Sequence, residues 1–298
     1  MDQFEFQTLL KLGKFTNEIK KNIINLPKTG TNILEIIETV ENQIFEAGYL
    51  PAFPCTICIN EQAAHFTVYD EEIILKKGDL VKIDFGVSFK GIITDTAVTI
   101  EIDDNKHEIL MKTNRDALEA AIETIEIGIS ISKIGKSVNE VAEKNKFNTI
   151  HNLSGHEIST NNLHSGLQIP NYDNNSKKEI QNNSEIAIEP FLTYGEPLIK
   201  EDKLGNILHL KEIKPLRDPI AKNVLKYIEE NFPKLPFSKR WLLKKFDKQK
   251  VNYAVKILKR ENIIYEYRVL VSSNNSLISQ FEDTVVFYEN KKTIITRL

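Results

Sequence analysis

The chain has 298 residues, of which 41% are hydrophobic and 27% are charged, and its formal net charge is −3. A chain of this length and composition can bury a sizeable core, as one large domain or as two. No apolar run approaches the roughly 20 residues that cross a bilayer. The N-terminal segment also lacks the basic start and the apolar centre of a signal peptide. These features exclude a membrane-spanning protein, and we expect a cytoplasmic location without a membrane partner.

Two helices are predicted before the first strands. Apolar residues recur at helical spacing over residues 2–26, and the run Pro27-Lys28-Thr29-Gly30 ends that helix. Thr31 is expected to cap a second helix, which ends near Ala47. Strand-like segments then follow to about Ile102.

The chain's two cysteines, Cys55 and Cys58, form a Cys-x-x-Cys sequence that is also found in zinc and redox sites. The surrounding segment has the pattern of an extended strand, in which residues three apart point to opposite faces. There is no second cysteine pair in the sequence to complete a structural zinc site. We therefore predict two reduced, semi-buried thiols.

An antiparallel hairpin is predicted from two β-rich segments, residues 80–87 and 91–100. The tight turn between them allows two registers. Its two-residue loop is either Phe89-Lys90 or Lys90-Gly91.

Each strand of this hairpin carries one aspartate, Asp84 and Asp95. The first register places them directly opposite each other, with β-carbons about 5 Å apart. The second register makes them diagonal neighbours on the same face. Because two like charges in an apolar hairpin are costly, either register indicates a cation between the carboxylates.

The succession of helix, break, helix and strands occurs a second time, offset by roughly 100 residues. A helix is predicted over residues 107–126, Ile127-Gly128 breaks it, and Ser130 or Ser132 starts another through about Lys144. Strand-like segments follow around His151, Leu167, 185–192 and 207–213. Two related α+β halves have their natural ligand site where the halves meet.

Residues 214–268 depart from this repeat. Helices are predicted at 218–231, 238–246 and 248–261, and a strand follows at 263–270. From Pro233 to Arg268 there are 11 Lys or Arg against 3 Asp or Glu. This pattern indicates a basic, winged-helix-like subdomain inserted into a main domain of residues 1–213 plus 269–298. Such a module suggests nucleic acid or the ribosome as a partner, although solvated Lys-rich helix faces are the commoner explanation.

Four carboxylates and one imidazole are candidate metal ligands, and each lies in or beside a strand-like segment: Asp84, Asp95, His156, Glu189 and Glu282. Carboxylates with a single histidine suit Mn, Fe, Co or Zn. Four carboxylates carry too much negative charge for one ion, but they suit two ions about 3.5–4 Å apart. The two aspartates belong to the first half and the other three residues to the second. We therefore expect the site between the halves.

Six short motifs in chain order resemble those of type II methionine aminopeptidases, the archaeal and eukaryotic class of the pita-bread metallopeptidases. They are Asn60-Glu61-Gln62-Ala63-Ala64-His65, Lys82-Ile83-Asp84-Phe85-Gly86, Thr94-Asp95-Thr96-Ala97-Val98-Thr99, Ser154-Gly155-His156 with Ile188-Glu189-Pro190-Phe191, and Gln280-Phe281-Glu282-Asp283-Thr284. The basic insert resembles the feature that separates type II from type I. The resemblance implies an α+β, creatinase/aminopeptidase-like fold. In it, two pseudo-symmetric halves surround an antiparallel sheet, and a helical, winged-helix-like subdomain is inserted into the catalytic domain.

The resemblance also implies a reaction, the hydrolytic removal of the initiator methionine from nascent proteins with a small second residue. Two divalent metal ions (Co, Mn, Fe or Zn) would serve as cofactors. Asp84 would bind one ion, Asp95 and Glu282 would bridge both, and His156 and Glu189 would complete the second.

Four side chains would act on the substrate if the resemblance holds. Glu189 would take a proton from the attacking water and pass it to the leaving amine. His164 would steady the tetrahedral intermediate, and His65 would contact the scissile amide or the leaving group. Phe53 would line the apolar pocket for the methionine side chain. The resemblance further implies a monomer that takes N-terminal Met-peptides as substrates.

Two rival functions share this fold. A non-enzymatic pita-bread protein that binds ribosomes or nucleic acid would have lost metal ligands, whereas all five are present here. An aminopeptidase for X-Pro bonds shares the ligands but usually carries a separate N-terminal domain, and the segment before Asp84 is short. One departure from the family concerns Asp283, where many relatives carry histidine. We expect it to tune metal affinity through contacts around the ligands.

Overall fold

The protein is described by a computed structural model over residues 1–297. Within this range the α-helices are α1 (Gln3–Ile23), α2 (Ile33–Glu46), α3 (Glu108–Thr124), α4 (Ile131–Lys144), α5 (Pro219–Asn231) and α6 (Lys248–Arg260). A single 3₁₀-helix, Lys239–Lys244, lies between α5 and α6. None of these helices is both long enough and apolar enough to span a membrane.

The strands are short apart from two antiparallel pairs, of which only one is a hairpin. They are β1 (Leu50–Pro51), β2 (Thr56–Ile59), β3 (Gln62–Ala64), β4 (Leu80–Phe89), β5 (Ile92–Glu101), β6 (Asn148–Thr149), β7 (Ser154–Ile158), β8 (Gln168–Pro170), β9 (Glu185–Ile188), β10 (Phe191–Thr193), β11 (Ile199–Leu210), β12 (Phe237–Ser238), β13 (Ile264–Ser272), β14 (Ile278–Gln280), β15 (Asp283–Tyr288) and β16 (Lys291–Ile294). The predicted strand at 207–213 is in fact the end of the longer β11.

Antiparallel pairing organises these strands into four sheets. In the first half, β4 pairs with β1, β2 and β5, and in the second half the order is β16-β15-β9-β7-β8. Two smaller sheets have the orders β14-β10-β6 and β12-β11-β13-β3. The halves are joined where Ala97 of β5 meets Glu282, because the amide of Glu282 donates to the carbonyl of Ala97 at 3.0 Å. The predicted α+β fold of two halves around antiparallel sheets is confirmed.

Helix boundaries follow the sequence closely, with two corrections. Asn32 caps α2 by accepting a hydrogen bond from the amide of Leu34 at 3.0 Å, so the prediction of Thr31 was wrong. The Thr31 hydroxyl accepts from the amide of Lys28 instead, at 3.2 Å. The helix predicted over 238–246 is only the short 3₁₀-helix. Ser130, one of the two predicted starts, occupies the N-cap position of α4 without a side-chain capping hydrogen bond.

The hairpin of β4 and β5 adopts the second of its two registers. Gly86 lies opposite Asp95, and Asp84 lies opposite Ala97. The loop residues Lys90 and Gly91 have φ angles of 52° and 83°. A tight type I′ loop needs positive φ at both positions, and glycine adopts it without strain. The two aspartates are therefore diagonal neighbours.

Both cysteines are free and buried, so they are more enclosed than the semi-buried thiols that we predicted. Burial raises the pKa of Cys58 to about 12. A thiol of such high pKa is a poor nucleophile and a poor metal ligand at neutral pH. The Cys-x-x-Cys sequence is therefore part of the core.

The segment after β11 packs a second apolar cluster of its own, to which α5, the 3₁₀-helix, α6, β11 and β13 contribute. β13 runs through the boundary that we predicted at residue 268, and the division into two domains stays a prediction. A buried ion pair ties this segment to α2, since Arg240 Nη2 lies 2.7 Å from Glu41 Oε2. The indole of Trp241 donates to the same carboxylate oxygen, also at 2.7 Å.

Candidate metal centre and substrate cavity

A cavity of about 260 Å³ opens where the two halves and the segment after β11 meet. The site residues predicted from the sequence all line it: Phe53, His65, Asp84, Asp95, His156, His164, Glu189 and Glu282. They come from eight separate stretches of chain. The fold brings every one of them together.

Strand alternation and register aim the ligand candidates into this cavity. His156 on β7 lies opposite Ala187 on β9, and Glu189 follows the end of β9. His156 Nε2 is 3.5 Å from Asp95 Oδ2 and 3.6 Å from Glu189 Oε1. Ligand atoms of Asp95, His156 and Glu282 all lie within 4.8 Å of one another. This spacing is compact enough to hold a metal ion.

Ionising these carboxyl groups costs free energy, because they are buried close together. Burial raises the pKa of Asp84 to about 7. The pKa values of Asp95, Glu189 and Glu282 are raised well above their usual range, first by burial and then by repulsion among the carboxylates. A cation bound among them would lower these pKa values and stabilise the ionised carboxylates.

Several oxygen atoms at the cavity point to the same ligand. Asp84 Oδ1, Asp95 Oδ1 and Glu282 Oε2 are buried and have no hydrogen-bond partner among residues 1–297. A buried polar atom is normally satisfied, and carboxylate oxygens with an imidazole are suitable ligands for divalent transition ions. The residues present therefore fit a divalent metal centre.

Gln280 was missed as a site residue by sequence reasoning. Its side-chain amide donates to Asp84 Oδ2 at 3.4 Å and to Glu189 Oε2 at 3.3 Å. It therefore links carboxylates from the two halves. Gln280 stands two residues before Glu282 on an extended segment, so period-two alternation could have found it.

Two uncharged histidines lie on the other side of the cavity. Burial and the neighbouring His164 lower the pKa of His65 to about 4, and burial lowers the pKa of His164 itself. The His164 ring lies 4.2 Å from that of His156, centroid to centroid. His65 has a φ of 67°, and a Cβ at Gly205 would overlap its carbonyl oxygen. This close approach explains the glycine at 205.

An apolar cluster closes one end of the cavity. Phe53 packs there with Ala52, Ile93, Ile158 and Ala187, and the side chain of Leu163 lies against them. Four further lining residues come from the chain beyond β10 and were also missed: Ile207, Pro236, Tyr267 and Leu270. The Tyr267 ring contacts that of His65 edge-on at 5.2 Å. No local pattern signals these contacts, because they join residues far apart in the sequence.

Comparison with known proteins agrees with this geometry. Residues 8–213 match metallopeptidase family M24. A curated protein from Thermococcus onnurineus named methionine aminopeptidase is 39% identical, over 98% of this chain and 99% of that protein.

Two solved structures share the fold at low identity. A methionine aminopeptidase from Thermotoga maritima has a TM-score of 0.72 at 21% identity, covering 100% of this chain and 98% of that one. A thermophilic Arx1 has a TM-score of 0.83 at 15% identity, covering 99% and 91%. The family match and the full-length relative together show that the chain belongs to metallopeptidase family M24.

Proposed function

We propose that this protein is a methionine aminopeptidase, which removes the initiator methionine from nascent proteins when the second residue is small. The observation that carries the proposal is the cavity of about 260 Å³, where buried carboxylates and histidines lie beside an apolar pocket. Full-length relatives that bear this name support it. They also favour it over a non-enzymatic role and over X-Pro cleavage.

Two divalent ions (Mn, Fe, Co or Zn) are the proposed cofactors. Asp84 would bind one, Asp95 and Glu282 both, and His156 and Glu189 the second. When bound, such ions supply a water of lowered pKa and positive charge near the scissile carbonyl. The unpaired carboxylate oxygens of the site support this assignment.

The remaining chemistry falls to the protein's own side chains. Glu189 accepts the proton of the attacking water and hands it to the leaving amine nitrogen. His65 and His164, kept uncharged by burial, donate hydrogen bonds to the substrate where negative charge develops. Phe53 and its apolar neighbours take the methionine side chain, and the resemblance to methionine aminopeptidases implies the preference for a small second residue.

A peptide series tests the proposal. Met-Xaa-Ser peptides with Gly, Ala or Ser in the second position should release methionine rapidly, whereas Lys or Leu in that position should reduce release strongly. Leu-Ala-Ser is the matched control for the first position. Equal release from Met-Ala-Ser and Leu-Ala-Ser would refute methionine selectivity.

Ribosome contact through the basic insert, a monomeric state and a cytoplasmic location stay predictions. Several cations of the insert are engaged within the chain, since Lys248 pairs with Asp70 and Lys244 lies over the ring of Phe45. Lys245 and Lys256 form no ion pair among the described residues. A Lys245→Gln/Lys256→Gln variant should co-sediment less with ribosomes than wild type, and unchanged co-sedimentation would count against the contact.

A further inference from the structure

A buried ion pair lies directly behind Glu282. Lys20 of α1 and Asp283 of β15 are each 4% exposed, and Lys20 Nζ is 3.0 Å from Asp283 Oδ1. The same ammonium donates to the carbonyl oxygens of Thr296 at 3.2 Å and Glu282 at 3.4 Å. All three of its protons therefore have an acceptor.

Further hydrogen bonds close this contact into a network. The Thr296 hydroxyl donates to Asp283 Oδ1 at 3.1 Å and accepts from the amide of Thr284 at 2.7 Å. The network joins α1 of the first half to β15 and to the C-terminal segment. Lys20 thus binds the carbonyl of Glu282 and the side chain of the next residue, Asp283.

The Lys20–Asp283 pair lies outside the catalytic cavity. Along the extended chain Glu282 lines the catalytic cavity, whereas Phe281 and Asp283 line a separate cavity of about 550 Å³ on the opposite side. Lys20 lines this second cavity as well. Neither member of the pair can touch a substrate in the catalytic cavity.

The carboxylate at position 283 explains why a lysine is buried beside it. An ionised carboxylate that is buried without a cationic partner is strongly destabilising. In this chain Lys20 supplies that charge, and it reaches the carbonyl of Glu282 in doing so.

We propose that Lys20 and Asp283 form a positioning pair that holds Glu282 in place to bind metal. The pair fixes the strand position of Glu282 without contacting the ions or the substrate. Partners of this kind, one step removed from a ligand, commonly change metal affinity by about 10–100-fold when they are removed. This inference rests on the proposed metal-binding role of Glu282.

The test variant is Lys20→Met/Asp283→Asn. Removing one charge alone would leave the other buried and unpaired, so both are replaced by uncharged residues of similar size. Glu41→Gln/Arg240→Met is the matched control, because it also removes a buried ion pair. Neither Glu41 nor Arg240 lines the catalytic cavity.

Each metal-free protein is titrated with Co²⁺, and the dissociation constant and the visible d–d spectrum of the bound ion are recorded. Urea midpoints are measured in parallel to report stability. The Lys20/Asp283 variant should bind Co²⁺ about 10-fold more weakly or worse, with altered band positions. The Glu41/Arg240 variant should keep the wild-type constant and spectrum, although its urea midpoint falls.

Two results would overturn the inference: a wild-type constant and spectrum in the Lys20/Asp283 variant, or equal weakening of Co²⁺ binding in the control. Failure of the proposed function would look different. In that case the wild-type protein itself would release no methionine after metal loading, whatever the variants did.

Discussion

The hydroxyl of Thr96 donates a hydrogen bond to the carbonyl oxygen of Glu282 at 2.8 Å, directly between the strands that carry two of the proposed ligands. A reciprocal contact comes from β15. The Thr284 hydroxyl accepts from the amide of Asp95 at 3.0 Å and donates to the carbonyl of Asp95 at 2.7 Å. Each ligand is therefore held by a threonine from the opposite half.

Thr96→Val should lower both stability and metal affinity. Valine keeps the shape of threonine but leaves the carbonyl of Glu282 with weaker donors, at a cost of about 1–3 kcal/mol. The free energy of unfolding in urea and the Co²⁺ dissociation constant check the two effects. Thr16→Val is the control, because its hydroxyl bonds that of Thr94, whose side chain lies on the face of β5 opposite to that of Asp95. If both variants bind Co²⁺ alike, the threonine contact does not support the metal centre.

Glu189→Gln should reduce kcat by at least about 10²-fold, since glutamine cannot accept the proton of the attacking water. Methionine release from Met-Ala-Ser and metal content by mass spectrometry are the measurements. Glu185→Gln is a close control, four residues earlier at the start of β9. Glu185 is buried, and burial raises its pKa well above the usual range, so glutamine imitates its uncharged form. Full activity of Glu189→Gln with its metal retained would remove Glu189 from the mechanism.

His164→Ala should lower kcat by about 10²–10³-fold, because it removes a donor to the charge that develops in the transition state. KM should change little, since that charge is absent from the bound substrate. Steady-state kinetics on Met-Ala-Ser separate the two constants. A variant with raised KM and unchanged kcat would instead assign His164 to ground-state binding.

Lys82 predicts a pH dependence of stability. Burial lowers its pKa from 10.5 to about 7 in the folded protein, so between these values the unfolded chain binds more protons. Stability should therefore rise as the pH increases from 7 towards 10.5. Lys82→Met should remove this rise and gain stability at pH 7. The carbonyl acceptors of Lys82, on Asn60 and Leu80, keep backbone donors in that variant.

Urea midpoints of wild type and Lys82→Met at pH 7 and pH 9.5 check this prediction. The difference between the two proteins should shrink at the higher pH. A constant difference would show that Lys82 keeps an ordinary pKa.

The ligand candidates could be predicted because strand alternation is a local property. Asp84 and Asp95 share a face in either register of their hairpin. The register itself depends on Lys90 adopting a positive φ. The sequence alone does not distinguish two turns, one residue apart, that have similar conformational free energies. The choice between Thr31 and Asn32 as helix cap is similar, since both side chains can accept the hydrogen bond.

The part of the cavity supplied by β11, β13 and Pro236 could not be predicted. Ile207, Pro236, Tyr267 and Leu270 carry no local pattern that marks a site, and only tertiary packing brings them to the cavity. The Lys20–Asp283 pair could not be predicted either, because only tertiary packing brings its two residues together. A lysine on an amphipathic helix is usually solvated, and its burial depends on a partner more than 250 residues away.

Methionine release from Met-Ala-Ser by the wild-type protein tests the central claim most directly, first with EDTA and then with added Mn²⁺ or Co²⁺. The account predicts that EDTA abolishes release, that either metal restores it, and that Leu-Ala-Ser stays uncleaved throughout. A metal-replete protein that releases no methionine would contradict it.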